Sequence, residues 1–89
     1  MQKGDVITIM TPIGEYVGRF ENLSKGELYV TDPKLIVNSP DNKVGFGRGV
    51  CMSAVENIEE VTFCNYLFVA PTNEVFEKAW REATSGLIV

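Results

Sequence analysis

Few side chains in this sequence are suited to catalytic chemistry. The 89 residues contain no histidine and only two cysteines, Cys51 and Cys64. Without histidine or a Cys-x-x-C pair, the common zinc ligand sets and the His-dependent nucleophile pairs are absent. The neighbouring carboxylates Glu59 and Glu60 lie in a polar segment, where a solvated charge pair is the expected state. We therefore expect no catalytic residue, no metal, no cofactor and no enzymatic activity.

The two cysteines allow two interpretations. A disulfide requires Cys51 and Cys64 to lie on neighbouring strands with a suitable separation of their Cα atoms. We favour two buried free thiols, because free cysteine packs like a small hydrophobic residue and nothing indicates an oxidising compartment. The chain also has no apolar run long enough to span a membrane, and its first residues do not read as a leader, so we expect none. We expect a soluble cytoplasmic protein with no membrane partner.

The stretch "KVGFGRGVCM" (residues 43–52) is the most unusual segment. It does not fit a phosphate-binding loop, because a polar loop rather than a helix follows it. It does not fit an RNA-recognition motif either, since that fold needs two helices. We favour a strand with one bare face, formed by Gly45, Gly47 and Gly49. Another backbone, or a large side chain such as Trp80 or Phe68, would lie directly on that face. Arg48 would face the opposite way, either lining a pore or groove or remaining a surface arginine without a role.

The hydrophobic pattern predicts a single domain over residues 1–89, with five strands between about residues 5 and 70 and a helix over about 73–84. Ile7 and Ile9 form the expected core face of the first strand, and Gly18 marks a sharp bend or a close backbone approach in the second. Thr72 or Asn73 is the expected N-cap of the helix. Its apolar stripe consists of Val75, Phe76, Ala79, Trp80 and Ala83. Gly86 should end the helix, and the tail 87–89 should pack as an edge strand or a subunit contact.

Two short motifs resemble the Sm-like family. "GEYVGRF" places Gly14, Tyr16, Gly18 and Phe20 in the arrangement of the family's first motif, and "LYVTD" (residues 28–32) resembles its third strand. The stretches "IVNSP", "NYLFVAPTN" and "ATSG" are similar to small Sm-like proteins of the cyanophage type. The chain departs from the family in beginning on a strand and in placing its helix at the C-terminus. It also lacks an aspartate paired with Asn22 in "ENLSKG", where the sequence predicts a turn with Gly26 supplying the special backbone angle.

The resemblance implies an all-β fold: a strongly bent five-stranded Sm-like (SH3-like) barrel with a C-terminal helix. It implies a homo-oligomeric ring of roughly five to seven subunits, closed by pairing between edge strands. It also implies residence in the cytoplasm, of a host cell if the protein is encoded by a phage. The apolar–Arg–Gly signature of the family's second motif is represented only by Arg48-Gly49, inside the predicted fourth strand.

Two functions follow as hypotheses. The first is a ring that binds single-stranded RNA or acts as an RNA chaperone, with contacts from Arg48, Asn22, Lys25 and Tyr29. An arginine repeated once per subunit would form a basic collar. Tyr16, Tyr29 and Tyr66 could stack on bases, but we expect cross-strand packing for at least two of the three. The second is a structural or adaptor ring that binds another protein and no nucleic acid. The formal net charge of −4 and a pI near 4.7 favour the second hypothesis, because RNA affinity depends on lysine and arginine.

Overall fold

The structure is a computed structural model that describes residues 1–47, 49–55 and 58–84. Its strands are β1 (Val6–Thr11), β2 (Gly14–Ser24), β3 (Glu27–Asn38), β4 (Val44–Phe46), β5 (Glu60–Phe63) and β6 (Phe68–Pro71), followed by helix α1 (Glu74–Thr84). One antiparallel sheet contains all six strands in the order β4-β3-β2-β1-β6, and β5 also pairs with β3. No helix among the described residues is long and apolar enough to cross a membrane.

The sheet is strongly curled. Strands β5 and β6 are consecutive in sequence but belong to opposite edges of the sheet, since β5 pairs with β3 and β6 pairs with β1. Four strand spacings would separate them by about 19 Å in a flat sheet, whereas even a fully extended connection of this length spans about 18 Å. The connection Cys64–Leu67 is bent rather than extended. The two edges must therefore approach each other, although no pairing between β5 and β6 closes the sheet in the described part of the chain.

The structure corrects the predicted strand count from five to six. The predicted fourth strand, "VGFGRGVCMS", is a strand only over Val44–Phe46. The predicted fifth strand, "VTFCNYLFVA", is divided into β5 and β6 by the bend at Cys64–Leu67. High β-propensity and an unbroken apolar pattern conceal this bend in the sequence, because the turn contains only one typical turn former, Asn65.

A close backbone approach at Gly18 helps to produce the curvature, as the sequence predicts. A Cβ atom at Gly18 would lie 2.3 Å from Cγ1 of Val30 and 3.3 Å from Cα of Pro33. The pairing of β2 with β3 shifts register at Gly18 itself, between Val17 and Arg19, and again shortly after it, between Phe20 and Asn22. Such irregularities increase local twist and bending. Strand β3 therefore continues through Asp32-Pro33 as a bent strand and is not interrupted there.

Each face of the sheet carries a buried cluster. The inner face buries Ile7 and Ile9, as predicted, together with Tyr16, Phe20, Leu28, Val30 and Val50. The outer face of β1 and β2 is covered by α1, whose Trp80 packs on Val6 and Val17. Pattern reasoning on β1 selected only the Ile7 and Ile9 face. Val6 is buried as well because a helix distant in sequence covers it.

Helix α1 begins as predicted, with Asn73 as the N-cap. The Asn73 side-chain carbonyl accepts a 2.9 Å hydrogen bond from the backbone N–H of Phe76. On the solvent side, Arg81 forms a bidentate contact with Glu77 at 2.9 and 3.1 Å. Trp80 is the fully buried residue of the helix. The predicted stop at Gly86 and the tail 87–89 lie outside the described residues.

Candidate ligand-binding surface on the β2–β3 hairpin

A tight turn positions the hairpin formed by β2 and β3. Ser24 and Glu27 are paired across it, and Lys25 and Gly26 form the two-residue connection. Both connecting residues have positive φ, 52° for Lys25 and 81° for Gly26, which is typical of a type I′ turn. Gly26 adopts this conformation without steric cost, as the sequence predicts. The turn presents Lys25 to solvent at the tip of the hairpin.

The hairpin brings together three of the four residues predicted to contact RNA. Asn22 and Tyr29 are directly opposite each other in the β2–β3 ladder, so their side chains share one face of the sheet. Lys25 lies at the tip, beyond the pair. Thr62 of β5 is opposite Tyr29 on the other side and extends the same face. The fourth predicted residue, Arg48, lies outside the described residues.

Carboxylates dominate the electrostatics of this outer face. The phenol of Tyr29 donates a 3.2 Å hydrogen bond to Oε1 of Glu27. The negative charge of Glu27 is the main cause that raises the pKa of Tyr29 above its usual value, and Glu60 adds a smaller effect in the same direction. Sequence reasoning assigned neither Glu27 nor Thr62 to this surface. Alternation along β3 was the available signal for Glu27, whereas only the strand register places Thr62 beside Tyr29. Tyr29 is therefore engaged by an acidic neighbour.

The structure also corrects the prediction that the two thiols are buried. Cys51 and Cys64 are both free, as expected, but both are exposed rather than buried. Cys51 belongs to the non-strand segment after β4, and Cys64 follows the end of β5 on the outer face. The Cys64 thiol lies 4.0 Å from Oε2 of Glu27, next to the hairpin. Alternation from Thr62 places Cys64 on the outer face, and Cys51 lies outside any strand because β4 ends at Phe46.

The glycine-rich stretch also differs from its prediction. No heavy atom lies within 4 Å of the place where a Cβ at Gly45 would be, and the nearest neighbour at Gly47 is Val37. Trp80 lies instead in the cluster with Val6 and Val17. Because β4 ends at Phe46, the glycines do not form one continuous strand face on which Trp80 or Phe68 could lie.

A small cavity adjoins the hairpin face, between the β1–β2 turn and the end of β5. Its volume is about 270 Å³, and its lining comprises Thr11, Pro12, Ile13, Tyr16, Thr62, Phe63, Cys64 and Asn65. The rings of Tyr16 and Phe63 meet edge to face with centroids 5.1 Å apart. Asn65 is exposed. Sequence reasoning missed Asn65 because it falls inside what reads as a single strand; the asparagine itself was the available turn signal.

The positions of Tyr16 and Tyr66 test the prediction that most of the tyrosines are packing residues. Tyr16 is buried and donates a hydrogen bond to the carbonyl of Val50 at 3.2 Å. Tyr66 packs partly buried against the same inner core. Both are packing residues, which confirms the expectation that at least two of the three tyrosines serve structure. Tyr29 is the tyrosine on the outer face.

Most basic side chains in the described part of the chain already face a carboxylate. Ion pairs join Lys3 to Glu21 at 3.4 Å, Arg19 to Asp32 at 2.9 Å, Lys43 to Asp41 at 3.9 Å and Arg81 to Glu77 at 2.9 Å. Within residues 1–47, 49–55 and 58–84, no group of three or more acidic, cysteine or histidine side chains is arranged to hold a metal ion. The hairpin face can thus offer stacking and hydrogen bonding, with one lysine to attract an anion.

No family model matches the chain, and no curated protein is significantly similar to it.

Proposed function

We propose that the protein is the subunit of a homo-oligomeric Sm-like ring. In this proposal the curled sheet is the strongly bent barrel of that family, and β1, β2, β3, β5 and β6 are its five strands, with β4 as a short addition. The close approach of β2 to β3 at Gly18 supports the proposal, because the family's first motif places a glycine there. The position of α1 at the C-terminus departs from the pattern of the family but does not change the order of the strands.

The observation that carries the proposal is the pair of open edges on one curled sheet. Strand β5 pairs only with β3, and β6 pairs only with β1, within the described residues. Unpaired edges are templates for another strand, and proteins normally cover or guard them. Two different edges on one subunit favour a head-to-tail contact, which closes into a ring when the rotation between subunits permits it.

Light scattering coupled to size-exclusion chromatography tests the ring. We expect one species with about five to seven times the subunit mass at micromolar concentration, and native mass spectrometry should give an integral number of subunits. A monomer at that concentration would contradict the proposal. A series of masses that rises with concentration would instead indicate an open filament.

We propose single-stranded RNA as the first candidate ligand of the ring. The cross-strand pair of Asn22 and Tyr29 supports this candidate, because it combines an amide for hydrogen bonding with a ring for base stacking. Lys25 supplies a positive charge at the hairpin tip. One such hairpin per subunit would present a repeated set of weak contacts, and linked contacts increase the overall affinity.

Fluorescence anisotropy with labelled oligo-U and oligo-A tests the RNA candidate. We expect weak binding at low salt, a steep loss with added salt, and further loss in Tyr29→Ala, Lys25→Ala and Arg48→Ala. Lys78→Ala is the matched control, because it removes the same charge from the exposed side of α1. Absence of binding to either oligonucleotide at low salt would eliminate the RNA candidate.

The second candidate is a structural or adaptor ring that binds protein. Two observations favour it. The carboxylates around Tyr29 repel a phosphate backbone, and most of the described lysine and arginine side chains are already paired with carboxylates and so attract one less. The ultraviolet absorbance spectrum of protein purified without nuclease separates the candidates. A spectrum of protein alone, together with recovery of a specific protein in a pull-down, would favour the adaptor, whereas co-purified nucleic acid would favour RNA.

A further inference from the structure

Tyr29 and Glu27 form a hydrogen-bonded unit on the outer face of the hairpin. The two residues are two positions apart on β3, so their side chains lie on the same face. The phenol donates a hydrogen bond to Oε1 of Glu27 at 3.2 Å. Tyr29 is half-buried and Glu27 is exposed, so solvent reaches both. The hydrogen bond holds the carboxylate beside the edge of the ring.

The side chains directly across the strands from Tyr29 leave its ring accessible. These neighbours are Asn22 on β2 and Thr62 on β5, and both are short, polar and exposed. In the described part of the chain, Tyr29 belongs to neither buried cluster. Unstacked bases of single-stranded RNA stack on aromatic rings of this kind and are then identified through hydrogen bonds to their edges.

The carboxylate of Glu27 keeps unused capacity for hydrogen bonds. A carboxylate has about four lone-pair positions. Oε1 accepts from the phenol, and Oε2 has the Cys64 thiol, a weak donor, at 4.0 Å. An ionised carboxylate accepts hydrogen bonds and donates none. A base bound beside it must therefore present N–H groups, and two adjacent N–H groups would engage both oxygens.

Guanine is the base whose edge meets this requirement. Its Watson–Crick edge places the N1–H and the N2 amino group side by side, so two donors face the carboxylate. Adenine and cytosine each present one amino group beside an acceptor nitrogen. Uracil presents one N–H between two carbonyl oxygens, which a carboxylate repels. A site that hydrogen-bonds its ligand discriminates strongly against ligands that lack the matching groups.

We infer that Tyr29 and Glu27 form a guanine-binding site, in which a base of single-stranded RNA stacks on the phenol ring and donates its N1–H and N2–H to the carboxylate. This assignment rests on the proposed binding of RNA and adds the base that the site selects. The negative charge of Glu27 repels phosphate groups. Glu27 therefore lowers the affinity for RNA in general and raises the preference for guanine.

Fluorescence anisotropy with three matched oligonucleotides tests the preference. The probes are oligo-U, the same chain with several uridines replaced by guanosine, and that second chain with inosine in place of guanosine. Inosine lacks the N2 amino group. The wild type should bind the guanosine probe about 10-fold more tightly than oligo-U, with the inosine probe between them. Glu27→Gln should bind the guanosine probe more weakly and oligo-U equally well or better, because it removes one acceptor and one negative charge.

Two further variants make the result specific. Glu60→Gln removes a carboxylate from the same face, where Glu60 pairs with Thr31, and should raise the affinity for all three probes alike. Tyr29→Phe keeps the stacking ring but removes the donor that holds Glu27, so it should reduce the preference for guanosine more than the binding of oligo-U.

The outcomes separate the guanine site from RNA binding itself. Equal affinity of the wild type for the three probes would overturn the guanine site and leave RNA binding intact. A gain of affinity for the guanosine probe in Glu27→Gln would do the same, since it would show that Glu27 acts only by repulsion. Failure of the wild type to bind any of the probes at low salt would contradict the proposed RNA binding, and with it the site.

Discussion

The indole N–H of Trp80 donates a 2.9 Å hydrogen bond to the backbone carbonyl of Asp32. This contact joins the middle of α1 to the bend of β3. Asp32 has a φ of 49°, and its carboxylate accepts a 2.9 Å hydrogen bond from Arg19. The Arg19 guanidinium lies 5.0 Å from the centre of the indole ring. The helix, β2 and the bend of β3 thus meet at one cluster.

Substitution of Trp80 should destabilise the protein strongly. Trp80→Phe removes the donor to Asp32 and leaves space beside Val6 and Val17, so we expect a loss of about 1–3 kcal/mol in the free energy of unfolding. Trp80→Ala should cost about 3–5 kcal/mol. Urea denaturation followed by circular dichroism measures both changes. Val75→Ala on the exposed side of α1 is the control and should remain within about 0.5 kcal/mol of wild type.

A methyl group at Gly18 should be far more costly than one at Gly45. The added Cβ of Gly18→Ala would lie 2.3 Å from Cγ1 of Val30 and 3.2 Å from the carbonyl oxygen of Thr31, whereas that of Gly45→Ala meets nothing within 4 Å. We expect Gly18→Ala to destabilise the fold by about 1–3 kcal/mol or more. Thermal unfolding compares the pair. Equal melting temperatures for the two variants would contradict the close approach of β2 to β3.

The hairpin turn allows stability and charge to be separated at Lys25. Lys25 has a φ of 52° before Gly26, and asparagine is preferred over lysine at the first position of such a turn. Lys25→Asn should therefore raise the melting temperature slightly or leave it unchanged, while it removes the positive charge from the tip. If RNA binds the hairpin, this variant should bind more weakly despite its stability. A destabilised Lys25→Asn would contradict the turn assignment.

The titration of Tyr29 should report its contact with Glu27. The pKa of Tyr29 is raised above the reference value of 10.0, chiefly by the negative charge of Glu27 and then by their hydrogen bond. Raising the pKa favours the neutral phenol, so the associated stability is present below pH 10 and is lost as pH rises through the folded-state value. Glu27→Gln should lower the pKa of Tyr29, as measured by tyrosinate absorbance.

Two comparisons assign that titration. Tyr29→Phe identifies the contribution of Tyr29 to the absorbance, because Tyr16 also titrates with a raised pKa, owing to burial. Glu60→Gln should lower the pKa of Tyr29 less than Glu27→Gln does, since Glu60 is the weaker influence. A larger effect from Glu60 would show that the phenol does not donate to Glu27 in solution.

Local patterns in the sequence predicted several elements correctly. Alternation identified Ile7 and Ile9 as core residues, Asn73 was one of two predicted N-caps, and Gly18 was assigned to a close backbone approach. These features depend on neighbouring residues or on the absence of a single side chain. The division of residues 61–70 into β5 and β6 was not predicted, because apolar β-forming residues continue through the bend. The exposure of Cys51 follows from a similar difference, because β4 ends at Phe46, whereas Cys64 shares the outer face of Thr62.

By itself, the sequence determined the β-rich class, the C-terminal helix, the turn at Gly26 and the acidic charge of the chain. These properties follow from side-chain periodicity, backbone preference and composition, all of which act over a few residues. The tertiary structure decided that Thr62 lies beside Tyr29, that Trp80 covers Val6, and that β5 and β6 lie at opposite edges. Such placements arise from pairing between distant strands, whose register is set by the burial of both sheet faces together and not by any one segment.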